Sequence, residues 1–343
     1  MIDLRSDTLT QPTQRTIDAI SEAKLGDDGR LSTDGKGEDP TVNKLEKTAA
    51  EITGKEDALF CNSGTMANIV ALLSYCKRGD AIGIDPFSHI YQSEEAIFME
   101  EYFGRQAILY DSDDMGKPIA ESLTAVLLNR SVKLLCLENT FGNKGGTCLS
   151  VEDTNELCQK ADEHDIPVHL DGARIFNAAA HLKVDVKKLV EQANTVQFCL
   201  SKGLGAPVGS VLCGTKDFIS KARKVRKLIG GGMRQAGVIA AAGIEALKEL
   251  ESLQKDNENA LLLSRLILHN TNFNLNMKAV QTNIVMIDVS PSGLTAEYVQ
   301  KKLMKNGLLV KATSENLLRF TIYRDIEKED IYQAASLINE FFR

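Results

Sequence analysis

The sequence predicts an α/β fold: a large domain built on a mostly parallel sheet, followed by a small α+β domain. Two observations predict it. Short runs rich in Val, Ile and Leu alternate with helix-length polar/apolar segments through the middle of the chain, the pattern of parallel strands covered on both faces. After residue 235 the pattern changes to one long helical stretch and then a separate set of strands and helices. A chain of 343 residues has room for two domains, divided here into 1–245 and 246–343.

The candidate strands, in order, are Asp57–Cys61, Ala81–Asp85, Gln106–Tyr110, Leu134–Glu138, Pro167–Asp171, Thr195–Leu200 and Gly209–Gly214. Each is a short apolar run, and helix-length segments such as Ser150–Asp165 lie between several of them. Residues 235–269 read as a single helix, with little Gly or Pro after Gly243. Beyond it, 282–289 is a strand, 296–307 a helix ending at a glycine, and 317–323 another strand.

Composition narrows the function. The chain is 43% hydrophobic and 25% charged, with a net charge of −7, so nucleic acid is not an expected partner. The basic run Lys221–Lys227 reads as a solvated helix face. The opening residues do not resemble a signal peptide, and no apolar run is long enough to span a bilayer; a cytoplasmic protein is expected. Seven cysteines (Cys61, Cys76, Cys136, Cys148, Cys158, Cys199 and Cys213) form no CxxC pair. Reduced, buried thiols are the simplest account.

In an open α/β sheet, ligands bind at the carboxyl ends of the strands, so chemistry should follow each strand. In VHLDGAR (168–174) a strand delivers Asp171 to such an end. A carboxylate there needs a cationic partner, and a protonated pyridine nitrogen is one; alone, Asp171 reads rather as a helix N-cap. In VQFCLSKGLGAPVGS (196–210) an apolar strand ends in Ser201-Lys202 and a glycine-rich turn. Burial lowers a lysine pKa and favours the neutral amine that a Schiff base requires; a lone lysine there would rather snorkel to solvent. Asp171 and Lys202 lie one strand–helix–strand unit apart, a spacing that can place both at one sheet edge, and together they point to pyridoxal 5′-phosphate (PLP).

Two further motifs fit that cofactor. Ser63-Gly64-Thr65 opens a helix and can cradle a phosphate, though a Ser/Thr N-cap is common. His89, after the strand at 81–85, can stack on a flat heteroaromatic ring or act as a general base. His169, inside a strand, and His164, in a helix, read as structural.

The segments LRSDT (4–8), GEDPTVNKLE (37–46), SGTMAN (63–68), SHIY (88–91), LDGARIFNAA (170–179), LSKGLGAPVGS (200–210) and GGGMRQAG (230–237) resemble the threonine aldolases. These belong to the β-eliminating lyase branch of fold-type-I, aspartate aminotransferase-like PLP enzymes. The resemblance implies a PLP-binding large domain, a small C-terminal domain, and a homo-oligomer, a dimer of dimers with shared active sites. It implies Lys202 as the Schiff-base lysine, Asp171 as the pyridinium partner, Gly64 and Thr65 at the phosphate, and His89 on the ring. Ser6, Arg174 and Arg319 would hold the amino-acid carboxylate. Arg234 would reach a neighbouring subunit's cofactor phosphate, and Thr8 and Thr10 could sit at a structural cation.

Two segments depart from the family pattern. A glycine-rich loop, Gly29–Lys36, lengthens the GEDP approach and is expected to be mobile. In ENTFGNKGG, Phe141 stands where the family carries a histidine that helps recognise the substrate hydroxyl. Both fall at the substrate mouth, and the second favours a water-mediated base or a larger, more apolar β-substituent. The expected reaction is retro-aldol cleavage of a β-hydroxy-α-amino acid to glycine and an aldehyde. The alternatives are β-elimination, racemisation or decarboxylation on the same scaffold, or a non-catalytic protein of this fold.

Overall fold

The computed structural model describes residues 1–343. Twelve strands are named here: β1 Ile2–Asp3, β2 Asp57–Cys61, β3 Ala81–Ile84, β4 Gln106–Leu109, β5 Val132–Glu138, β6 Val168–Asp171, β7 Thr195–Cys199, β8 Ser210–Gly214, β9 Ile284–Asp288, β10 Leu308–Leu309, β11 Lys311–Ala312 and β12 Leu317–Thr321. Seven form the main sheet in the order β2-β8-β7-β6-β5-β3-β4. Only β8 runs against the others, pairing antiparallel with β2 and β7. All seven predicted strands are present, with ends displaced by two residues at most.

The period-two geometry of a strand splits its side chains between the two faces. Leu59, Leu134 and Leu212 enter the apolar cluster on one face. Their neighbours Phe60, Leu135 and Val211 enter the cluster on the other. Burial on both faces explains why these strands read as continuous apolar runs. A third cluster gathers Val285, Ile287, Leu318 and Phe320 from the antiparallel sheet β11-β12-β9, and it also contains Ile2 and Leu4. The chain start is drawn there because β1 pairs in parallel with β10. That pairing carries Ser6 and Asp7 toward the main sheet.

Two sequence expectations are corrected. The single helix over 235–269 is two helices, Gly237–Ala246 and Ser252–Ile267. Local propensity runs through the break, but packing interrupts it. The first helix packs in the cluster beneath the main sheet, where a side chain at Gly243 would meet Leu200 at 2.8 Å. The second contributes Ala260 and Leu263 to the third cluster, so the chain must turn between the two cores. The basic run within helix Lys216–Leu228 is not wholly solvated either. Arg223 and Arg226 are buried and pair with Glu46 (2.7 Å) and Asp28 (2.6 Å). Of the two structural histidines, His164 lies in an exposed turn after helix Val151–Asp162 rather than inside it. All seven cysteines are free, six of them buried and Cys148 partly so.

Candidate active site

The carboxyl ends of β5, β6 and β7 lie side by side. Glu138 ends β5 and Asp171 ends β6, and the two are register partners. Lys202 follows β7 in the loop that turns toward β8. His89 begins the short helix that follows β3. A cavity of about 390 Å³ opens here, lined by Ser6, Thr8, His89, Glu138, Arg174 and Lys202 among others, with Arg319 and Lys311 closing it from the small sheet. A narrower recess of about 150 Å³ continues from it toward Gly64, Thr65 and Ser201, sharing His89, Asp171 and Lys202. A larger groove of about 860 Å³ lies elsewhere, around Phe176 and Leu250, and holds none of these groups.

Asp171 is 2% exposed. Its Oδ1 accepts hydrogen bonds from Gln197 Nε2 (2.5 Å) and Ala173 N (3.1 Å), and its Oδ2 accepts from Asn68 Nδ2 (2.9 Å). Burial alone would push its pKa up, but the charges of His89 and Lys202 and the bond from Asn68 hold it below the usual carboxylate range. Asn68 is itself oriented. Its Oδ1 lies 3.1 Å from His169 Nε2, and His169 Nδ1 lies 3.0 Å from the Thr195 hydroxyl. Burial pulls His169 down to about 4, so it is neutral near pH 7 and donates its one proton to Asn68. An anionic Asp171 in the wall of this recess is what a cationic ring nitrogen requires.

His89 Nδ1 is 3.1 Å from Glu94 Oε2. Glu94 is fully buried, while the His89 side chain is 46% exposed to the cavity. The hydrogen bond to Glu94, opposed by burial, raises the imidazole pKa. Glu138 accepts the His89 backbone N–H at Oε2 (2.6 Å) and the Gly142 N–H at Oε1 (2.7 Å). Burial and the nearby Asp171 charge push it up to about 7 despite those two bonds.

At the other wall, Arg174 is clamped by Asp7, Nε to Oδ2 at 2.6 Å and Nη2 to Oδ1 at 2.7 Å. Asp7 also accepts from Asn283 Nδ2 at 3.1 Å. Arg319 has no such partner: its buried Nε is without a hydrogen bond. Burial and the facing Arg174 lower its pKa to about 10. Two guanidinium groups, one neutralised and one not, face the space where an amino-acid carboxylate would lie.

Four of the predicted residues lie outside this arrangement. Ser63 is occupied as an N-cap, accepting Met66 N at 3.1 Å. Arg234 is 72% exposed and pairs with Asp27 at 2.9 Å. Phe141 is buried and turned away from the cavity, its ring against Gly116, where a Cβ would come within 2.8 Å of it. It therefore does not make the substrate mouth apolar: the only apolar side chains lining the cavity are Ala173 and Ala312. Thr10 donates to the Asp7 carbonyl (2.6 Å) and lies behind the cavity, while Thr8 lines it and donates to Ser6 Oγ (2.9 Å). No group of three or more His, Cys, Asp or Glu is placed to hold a metal ion.

Sequence reading missed Asp7, Asn68, Glu94, Glu138 and Lys311. Two of them carried a signal. Glu138 ends an apolar strand just as Asp171 does, and Asp7 sits inside the LRSDT segment between two residues that were singled out.

The residues present fit a PLP-type group: an amine, an ionised carboxylate in the wall of the recess, an imidazole beside them, and the N-terminus of helix Gly64–Tyr75 at the far end. Comparison with known proteins agrees. A family model described as beta-eliminating lyase matches residues 3–290. The chain belongs to the beta-eliminating lyase family. Among relatives of this lyase, the low-specificity L-threonine aldolase 1 of Arabidopsis thaliana is 40% identical over 99% of this chain and 96% of its own length. The low specificity L-threonine aldolase of Escherichia coli is 35% identical over 98% of each. The fold is shared with Leishmania major threonine aldolase, at TM-score 0.82, 16% identity and full coverage of both chains. It is also shared with Sphingomonas wittichii serine palmitoyltransferase, at TM-score 0.75 and 17% identity over 99% of this chain and 86% of that one. The lyase is thus an α/β enzyme of the fold-type-I class. None of its helices is long and apolar enough to cross a membrane.

Proposed function

We propose that this lyase cleaves a β-hydroxy-α-amino acid of the threonine type to glycine and an aldehyde, with PLP as cofactor. One observation carries the reading: Lys202 and an ionised Asp171 face one cavity that is closed by Arg319, a guanidinium without a partner. The names of the full-length relatives support the same reaction. PLP supplies an electron sink for the pair released when the Cα–Cβ bond breaks.

The chain's own residues do the rest. Lys202 would hold the cofactor aldehyde and Asp171 its ring nitrogen. His89 would lie against the ring, and Gly64, Thr65 and Ser201 would meet the phosphate, with Ser63 fixing the helix start. Ser6 and the free edge of Arg174 would join Arg319 on the substrate carboxylate, fixing the amino acid so that its Cα–Cβ bond can align with the ring. Phe141 supports the loop from behind.

The proposal extends to assembly. Arg234, exposed and paired only with Asp27, would exchange that partner for a neighbour's phosphate, which suits a homotetramer built as a dimer of dimers. A division into 1–245 and 246–343 is proposed as well, the first strand lodged in the smaller core, although the larger core itself runs on to Ala246, Leu247 and Leu253. A cytoplasmic location is proposed with these. A cation beside Thr8 and Thr10 would have to use hydroxyl lone pairs, since both protons are engaged.

The test is product analysis of the purified protein with added cofactor on L-threonine and L-allo-threonine. Glycine and acetaldehyde are expected, together with a visible absorbance band that Lys202→Ala abolishes. Release of ammonia and a keto acid instead, or cleavage surviving Lys202→Ala, would overturn the reading.

A further inference from the structure

Retro-aldol cleavage needs a base for the β-hydroxyl proton, and His89 is poorly suited to it. Its Nδ1 is held by the fully buried Glu94, which raises the imidazole pKa and so favours the doubly protonated ring, whose Nε2 has no lone pair left to accept with. Glu138 stands in the same cavity wall, 7% exposed. Each of its oxygens accepts one backbone N–H, from His89 and from Gly142, and a carboxylate has further lone pairs to offer. Two residues on, Thr140 lines the same cavity, and its buried hydroxyl has no hydrogen-bond partner.

Resting on the proposed reaction, we propose that Glu138 is the base that takes the substrate β-hydroxyl proton, oriented by Thr140, while His89 keeps its own proton. The O–H bond breaks and its proton passes to a Glu138 oxygen. The β-carbon becomes a carbonyl as the Cα–Cβ bond breaks, and the electron pair of that bond stays on the Cα side. A proton then returns to Cα, so the atoms of the amino acid are divided between glycine and the aldehyde without another reactant. The charged groups around Glu138 favour this duty. Asp171 beside it and the burial of the site raise its basicity, to a pKa of about 7. Arg174, Lys202 and His89 on facing elements, with Arg319 and Lys311 across the cavity, keep the anion accessible near neutral pH. Tyr110 packs behind and stays un-ionised, raised by its burial.

Exchange of the glycine α-proton with solvent uses the same cofactor and carboxylate site but has no β-hydroxyl, so it separates this role from general damage. In Glu138→Gln, cleavage is expected to fall at least 100-fold, with the visible absorbance retained and glycine exchange within about threefold of wild type. The acidic limb of the wild-type kcat profile, near pH 7, should vanish. Glu138→Ala with added formate should recover part of the lost cleavage. Glu138→Gln cleaving within tenfold of wild type with the acidic limb intact overturns the proposal, as does loss of exchange in parallel with cleavage. Should neither variant fold, the wild type decides: an acidic limb in cleavage that is absent from glycine exchange supports the role, and identical limbs overturn it. A wild-type protein that neither cleaves β-hydroxy amino acids nor exchanges glycine sinks the parent reading itself, and this one with it.

Discussion

Arg174 and Asp7, 167 residues apart in sequence, form a two-point ion pair, Nε–Oδ2 2.6 Å and Nη2–Oδ1 2.7 Å, with Asp7 wholly out of solvent. The pair fixes the guanidinium plane and leaves Nη1 toward the cavity. It also ties the first turn of the chain to the end of β6.

Asp7→Asn breaks this pair on one side and leaves Arg174 a buried, uncompensated cation. A loss of about 3–5 kcal/mol is expected in denaturant unfolding. Burial raises the Asp7 pKa, but Arg174, Lys202 and Asn283 outweigh it and hold the folded value below 3.8. Its stabilising contribution is thus complete above the unfolded pKa and is lost as the pH falls below about 4. The difference between wild type and variant should shrink over that same acid range.

Arg319 is the unpaired guanidinium at the cavity. Arg319→Gln should raise KM for the amino acid 10- to 100-fold, corresponding to about 1.4–2.8 kcal/mol, with a smaller change in kcat. Burial and the nearby Arg174 bring its pKa down to about 10, so an arriving carboxylate supplies the counter-charge that it lacks. An unchanged KM in Arg319→Gln would remove Arg319 from carboxylate binding.

Phe141→His restores the residue type expected from the family pattern but not a residue in the cavity. The imidazole would be buried against Gly116 with no partner supplied, at a cost of about 1–3 kcal/mol. Cleavage kinetics should change by less than about threefold. A large gain in kcat/KM on threonine would show that residue 141 can turn into the site.

Asp256 is 2% exposed, and its Oδ2 has no hydrogen-bond partner. Burial, with the Asp7 charge added, pushes its pKa up to about 8. A carboxylate whose folded pKa lies above its unfolded 3.8 binds more protons when folded, so stability falls as pH rises from about 4 to 8. Asp256→Asn removes that penalty. The variant should be more stable than wild type at pH 8.5, by on the order of a few kcal/mol, and close to it below pH 4. A thermal-melt series across this range measures the difference.

Much of the site was legible from single strands. Asp171 and Lys202 could be placed because an apolar run that stops at a charged residue marks a strand end, and strand ends in this fold share one edge. Glu138 obeys the same rule, yet in ENTFGNKGG the departure from the family pattern fell on Phe141, and the carboxylate at the strand end went unread. Phe141 was misplaced for a different reason: its position along the chain is at the substrate mouth, but the direction of its side chain is set by packing against Gly116, which no local pattern encodes. The helix over 235–269 failed similarly, since its helix-forming residues continue through a bend that two separate cores impose.

The sequence by itself determined the sheet, the family, and two of the residues that face the cavity, because alternation and strand-end chemistry are local properties of the chain. Tertiary structure decided the protonation of the site. Whether Asp171 is ionised, His89 charged, Glu138 poised near neutrality or Arg319 left unpaired depends on burial and on charges delivered by distant segments. Those are sums over neighbours in space, and only the folded chain supplies them.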